Sequence, residues 1–191
     1  MLAWRVLLSD RKPDIAAMWI GPADSPESAQ AGIALDLIAP TPERDARAQD
    51  GIAWFVAHAT PETGSPAVAA LAIGMWQALG RMLTPDAVGL DAALSTQDFA
   101  GFKLPAELFR RIDAAAAAPD RRGEAALLVI DALGAGTIAR LAPDASVRLV
   151  ATLEKIGLDK DARALAAEAL LFGPPTEPVP PPKPVPAQAA Q

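Results

Sequence analysis

The chain has no cysteine, no tyrosine and a single histidine among its 191 residues. Without cysteine it cannot form a disulfide scaffold, a thiolate nucleophile, a zinc finger or a cysteine-ligated iron–sulfur cluster. The one histidine, His58, excludes any site in this chain that needs two imidazoles. No serine lies in a Gly-x-Ser-x-Gly elbow, and no carboxylates have the spacing of a calcium loop. We therefore assign no catalytic residue, cofactor or metal ligand, and we expect His58 to lie at a helix C-terminus.

Excess basic charge and a long apolar run are also missing. The 17 basic and 23 acidic residues give a net charge of −6, which argues against a nucleic-acid partner because phosphates need a basic face. The longest uncharged stretch, Thr63 to Gly80, has 18 residues and contains Ser65, Pro66 and Gln77. It predicts a buried helix, and a membrane span is the less favoured interpretation. No secretory signal is evident, so we expect a cytoplasmic protein, or a periplasmic one if the chain belongs to a longer scaffold.

Alanine is the most abundant residue, with 44 copies, and Arg outnumbers Lys, which together are typical of GC-rich bacterial genes. Ser-Pro or Thr-Pro pairs recur at Ser25, Thr41, Thr60, Ser65 and Thr84. A hydroxyl N-cap with proline at the first helical position is typical of a helix start, and the alternative for Thr60-Pro61 is a loop just before the Ser65 cap. Apolar residues then follow at helical spacing. These patterns predict an all-α protein with helices near residues 26–38, 42–58, 66–82, 85–94, 105–117, 121–134, 144–156 and 160–171.

The last 18 residues, 174–191, contain eight of the 19 prolines. Proline fixes φ and removes the backbone donor, so this stretch predicts a disordered, extended tail. Its segment Pro178 to Lys183 has the PxxPx-basic spacing that SH3-type grooves bind, which leaves docking through the tail open. We accordingly divide the chain into one helical domain, 1–173, and this tail. Within the domain, 1–25 should hold short helices and 26–173 helix hairpins.

An acid–alanine pair recurs in the second helix of each predicted hairpin. Its alanines are Ala46, Ala87, Ala125 and Ala162, at intervals of 41, 38 and 37 residues. A repeat of this length with two helices is typical of an α-solenoid, in which small residues allow the helices to approach closely. The pattern predicts a right-handed array of about four antiparallel hairpins. A helical bundle without repeats is the alternative.

The last of these units carries a more specific pattern. Gly157, Ala162, Ala169 and Pro174 are separated by 5, 7 and 5 residues, and this unit resembles the tetratricopeptide repeat. The resemblance covers Pro143 to Pro174, and Leu104 to Ala135 in part. It implies a protein-binding module whose first helices line a groove for a peptide or protein partner. The groove-facing positions that it implies for the last unit are Asp144, Val147, Ala151 and Glu154.

A different function is suggested by the apolar run that ends in Gly134-x-Gly136-x-x-Ala139. Together with Glu154, 20 residues after Gly134, it fits a relaxed dinucleotide-binding fingerprint. This alternative, a nucleotide-binding or enzymatic domain, requires a parallel strand at 126–133. Pro143 opposes it, because it falls inside the helix that such a site needs.

Two further groups of residues are candidate contacts for a partner. One group consists of arginines on either side of the connection between the third pair of predicted helices: Arg110, Arg111, Arg121 and Arg122. These arginines could bind a partner that carries carboxylates. All four tryptophans, Trp4, Trp19, Trp54 and Trp76, fall in the first 76 residues. We expect them to anchor the core, with an aromatic binding surface as the alternative. The sequence as a whole favours a non-enzymatic interaction or scaffold module.

Overall fold

The computed structural model describes residues 5, 7, 8, 10, 12–59, 66–134 and 138–173. The predicted tail, 174–191, lies outside this part of the chain. Nine α-helices and two short 3₁₀ turns, 119–121 and 138–140, form the described structure, which contains no strand. The helices are α1 (Pro13–Trp19), α2 (Pro26–Ile38), α3 (Pro42–His58), α4 (Pro66–Ala78), α5 (Pro85–Leu94), α6 (Ala106–Ala117), α7 (Arg122–Leu133), α8 (Pro143–Lys155) and α9 (Asp159–Phe172). The prediction of an all-α protein is confirmed.

The Ser-Pro and Thr-Pro signals begin helices as predicted. The hydroxyls of Ser25, Thr41 and Thr84 accept hydrogen bonds from the backbone N–H three residues later, at 3.2, 3.3 and 3.3 Å. The proline at the first position of each helix has no N–H to leave unpaired. Two other candidate starts, Thr60 and Ser65, lie outside the described residues. The starts of α2, α3 and α5 therefore follow from local chemistry.

Helix α4 is the central helix of the fold. Eight of its 13 residues are buried, as expected for a helix that is apolar on all sides. It ends at Ala78, four residues before the predicted end, because Gly80 adopts φ +69° and Arg81 donates back to the Trp76 carbonyl at 3.2 Å. Within the described part of the chain, no helix is both long and apolar enough to cross a membrane.

The helices pack in the predicted sequential pairs, α2 with α3, α4 with α5, α6 with α7 and α8 with α9. In a linear solenoid each hairpin would contact only its neighbours in sequence. Here α9 packs on α2, and α8 packs along α4. The solenoid arrangement is therefore not confirmed, since the last hairpin closes onto the first and the helices form a bundle.

The acid–alanine pattern marks close packing in three units and fails in the first. Ala87, Ala125 and Ala162 are fully buried, whereas Ala46 is exposed. The close approach in the first hairpin occurs at Gly51 instead, where an added Cβ would lie 2.6 Å from the Ala29 carbonyl oxygen. The pattern failed there because it assigned the wrong face of α3 to the partner helix.

Two buried polar side chains join distant parts of the bundle. Gln30 in α2 donates from Nε2 to the main-chain carbonyl of Leu170 in α9. Asp36, also in α2, is fully buried and accepts a hydrogen bond from Arg81 Nη2 at 3.1 Å. Arg81 also binds Asp45 in α3 at 2.9 Å, so its guanidinium links three segments of the chain.

Candidate functional site

The four groove-facing positions implied for α8 share one side of the helix and remain partly or fully exposed. Asp144 is exposed, and Val147, Ala151 and Glu154 are half-buried. Asp144 and Val147 line a cavity of about 440 Å³. Ala151 and Glu154 do not line it, and Glu154 has a buried Oε2 with no hydrogen-bond partner among the described residues.

This cavity, which we call the α4–α8 groove, has walls from four segments. Helix α4 contributes Ala70, Gly74 and Gln77, and helix α5 contributes Asp91 and Leu94. Helix α8 forms the facing wall, and the connection 95–103 closes one end. Its volume is within the range of about 300–1,000 Å³ that is usual for ligand pockets.

Backbone contacts fix the connection against the start of α8. Phe102 donates from its N–H to the Arg140 carbonyl at 2.8 Å, and its own carbonyl accepts from the Ala142 N–H at 3.1 Å. Gly101 adopts φ +137°, and a Cβ there would lie 2.5 Å from the Ala142 nitrogen. A glycine is therefore required for the connection to reach α8. The wall of the groove that carries Ser95, Gln97, Asp98, Phe99 and Lys103 is held by this contact.

Both cations that line the groove are already paired. Lys103 donates to Asp98, and this hydrogen bond, with the nearby charges of Asp98 and Asp144, raises the pKa of Lys103. Arg148 binds Asp113 in α6 and stacks over the Phe109 ring, with 4.3 Å between the guanidinium carbon and the ring centroid. Arg148 thereby anchors α6 to α8, and neither cation is left without a carboxylate.

Two carboxylates in the groove have no such partner. Neither Asp91 nor Asp144 forms an ion pair or side-chain hydrogen bond with another described residue. Asp91 is half-buried, and burial raises its pKa. Apolar side chains lie around these groups, including Leu94 and Val147. The groove thus combines apolar walls with an excess of negative charge.

The predicted arginine cluster lies on the α6–α7 hairpin, away from the groove. All four guanidinium groups are on exposed residues. Arg110 pairs with Glu107 inside α6, and Arg121 binds both oxygens of Glu124 at 2.8 Å. Arg111 and Arg122 form no ion pair with any described carboxylate. Leu127 and Ile130 on α7 are 67% and 63% exposed, so this hairpin offers a second, flatter surface.

The arrangement required by the nucleotide-binding alternative is not found. Residues 122–133 are helix α7, where the fingerprint needs a strand. Gly134 ends that helix with φ +57°, which explains the glycine by helix termination. Gly136 lies outside the described residues.

Only some of the aromatic predictions agree with the structure. Trp76 is buried, and Trp54 packs partly against the core. Trp19 is 66% exposed, so the prediction that it anchors the core was wrong; α1 is short and turns this ring outward. His58 ends α3, donates from Nδ1 to the Trp54 carbonyl at 2.9 Å and stacks on its ring. Trp4 lies outside the described residues.

A larger cavity of about 640 Å³ lies between the C-terminal end of α2 and the length of α9, beside Leu8 and Pro13. Several neighbours of Leu8 and Pro13 in the sequence, residues 1–4, 6, 9 and 11, are not among the described residues. The α4–α8 groove is bounded by described residues on all four walls and contains two of the sequence-predicted positions. For these reasons it is the candidate site.

Comparison with protein-family models, with curated proteins and with solved structures gives no match to this chain.

Proposed function

We propose that this protein is a non-enzymatic interaction module that binds a peptide segment of a partner protein in the α4–α8 groove. The observation that carries this proposal is the position of Asp144 and Val147. The tetratricopeptide-like pattern implies that both face a partner, and both line the groove. A groove between packed helices is a common place for a ligand to bind in helical proteins.

The composition of the groove supports a peptide as the ligand. Apolar walls can bury the side chains of a ligand, and the exposed polar residues Gln77, Ser95 and Gln97 also line the groove. Peptide-binding sites combine these features, since apolar anchors supply affinity and a few polar groups fix orientation. The exposed α6–α7 hairpin is the competing surface for the same partner.

The proposal is tested by selecting peptides from a displayed random library on the immobilised full chain. The selected peptides are then titrated against the wild type and two tryptophan variants. Ser95→Trp fills the groove at an exposed lining position. Thr96→Trp is the matched control, because this adjacent exposed residue does not line the groove.

We expect Ser95→Trp to weaken peptide binding by about tenfold or more, equivalent to about 1.4 kcal/mol. Thr96→Trp should leave the dissociation constant within about twofold, as is usual for surface substitutions. The far-ultraviolet circular dichroism of both variants should match that of the wild type. The proposal fails if no peptide is enriched, or if binding is insensitive to Ser95→Trp but lost on Arg111→Glu.

A further inference from the structure

We infer that the α4–α8 groove recognises a long cationic side chain, arginine or lysine, whose charged head pairs with Asp91 and whose hydrocarbon stem packs along Leu94 and Val147. This inference rests on the proposed function and specifies its ligand. The chemical class is an aliphatic chain that ends in a guanidinium or ammonium group. The occupant that we infer is a side chain of the partner peptide, and a free alkyl cation of the same chemistry is a competing outcome of the test.

The charges that line the groove favour a cationic ligand. Three carboxylates and two cations line the groove. Lys103 is bound to Asp98 and Arg148 to Asp113, so neither Asp91 nor Asp144 has an ion-pair partner among the described residues. Asp144 is attracted to Lys103 only at longer range. An anionic ligand would meet repulsion from both carboxylates, whereas a cation would gain a charge-assisted hydrogen bond with either one.

Burial distinguishes Asp91 from the carboxylates on the surface. Asp91 lies on the last turns of α5, half-buried in the groove wall. A carboxylate removed from water without a partner is costly, and a cation bound beside it offsets that cost. Asp144 is exposed at the start of α8, where it can attract a cation before the head reaches Asp91.

The apolar walls favour a cation that is carried on a hydrocarbon stem. Ala70 and Gly74 of α4 line the groove together with Val147 of α8. Leu94, three residues after Asp91 in α5, lines it as well. Lysine and arginine bury their methylene stems against apolar surface and leave the charged head at a polar site. A small inorganic cation would make no use of these walls.

The test uses short capped peptides of identical sequence that differ at one central position. This position is arginine, lysine, citrulline, norleucine or glutamate, and n-butylguanidine and n-pentylamine serve as free cations. Dissociation constants are measured by nuclear magnetic resonance titration of the full chain. The variants are Asp91→Asn, Ser95→Trp and the control Asp86→Asn, which removes an exposed carboxylate of the same helix that does not line the groove.

We expect the arginine and lysine peptides to bind about tenfold more tightly than those with citrulline or norleucine. Asp91→Asn should remove this preference, and Asp86→Asn should retain it. Groove-dependent binding without a preference for cations overturns the inference and leaves the proposed function standing. Binding of the free cations alone, lost in Asp91→Asn, supports the cation site and overturns the peptide function. If neither peptides nor free cations bind, both are overturned.

Discussion

A Cβ atom added to Gly74 in α4 would lie 2.7 Å from Cγ2 of Val147 in α8. Real Cβ atoms do not approach other atoms so closely, so the two helices are separated by a distance that only glycine permits at this position. The same contact holds Val147 in the wall of the α4–α8 groove. This pair of residues therefore contributes both to the packing of α4 on α8 and to the shape of the candidate site.

Gly74→Ala should destabilise the protein by about 1–3 kcal/mol, because an overpacked core forces side chains or backbone to shift. The change is measured as the free energy of unfolding in urea. Adding Val147→Ala should recover part of the loss, because it removes the two Cγ atoms that the new methyl group would meet.

Gly89→Ala in α5 is the matched control for this substitution. An added Cβ there meets nothing within 4 Å, so the change should increase stability by about 0.5–1 kcal/mol through helix propensity. If Gly74→Ala proves as stabilising as Gly89→Ala, the close contact between α4 and α8 does not exist.

Gln30→Ala should cost about 1–3 kcal/mol, since it leaves the buried carbonyl of Leu170 without its donor. This carbonyl lies in the last turn of α9, where no helical N–H can replace the lost bond. Gln49→Ala removes an exposed glutamine that binds Asp45 within α3 and should change stability by less than about 0.5 kcal/mol. Equal effects of the two substitutions in thermal unfolding would contradict the closure of α9 onto α2.

Arg148→Met should loosen the α6–α7 hairpin, because Arg148 supplies both the ion pair with Asp113 and the contact with Phe109. The ion pair is half-exposed, so we expect a total loss of only about 1 kcal/mol. The more specific result is faster amide hydrogen exchange in α6. Arg110→Met breaks an ion pair contained within α6 and should leave these exchange rates unchanged. If Arg110→Met accelerates exchange in α6 as much as Arg148→Met does, Arg148 does not anchor α6 to α8.

Asp36 should make stability depend on pH in a defined direction. Burial raises its pKa, and this effect outweighs the lowering by Arg81. Between the unfolded and folded pKa values, the folded state binds more protons, so its stability falls as pH rises. The measured quantity is the unfolding free energy of the wild type minus that of Asp36→Asn. This difference should decline from about pH 4 upward until the pKa of Asp36 in the folded state is passed. Asp50→Asn is the control for the effect of removing one negative charge. A rising difference would show that the ion pair with Arg81 dominates.

The helix boundaries could be predicted from sequence because they depend on neighbouring residues. Ser25, Thr41 and Thr84 bind N–H groups three residues away, and Gly134 and Gly157 end helices with positive φ. The end of α4 was missed because the apolar pattern continues past Ala78, and Gly80 was not recognised as the terminator.

The arrangement of the helices could not be predicted, because it depends on contacts between distant segments. The bond from Gln30 to Leu170 spans 140 residues, and no local pattern indicates it. The connection 95–103 was also missed as a wall of the groove. The sequence feature behind this wall is Gly101, whose lack of a side chain permits the close approach to Ala142. A single glycine does not predict such a contact, because glycine also occurs in turns and at helix ends.

The most direct test of the peptide-binding proposal is a map of amide chemical-shift changes when a selected peptide is added to the ¹⁵N-labelled full chain. We predict that the largest changes occur at Asp91, Ser95, Gln97, Lys103 and Val147, which line the α4–α8 groove. Changes centred on Arg111, Arg122, Leu127 and Ile130 of the α6–α7 hairpin, with none in the groove, would contradict it.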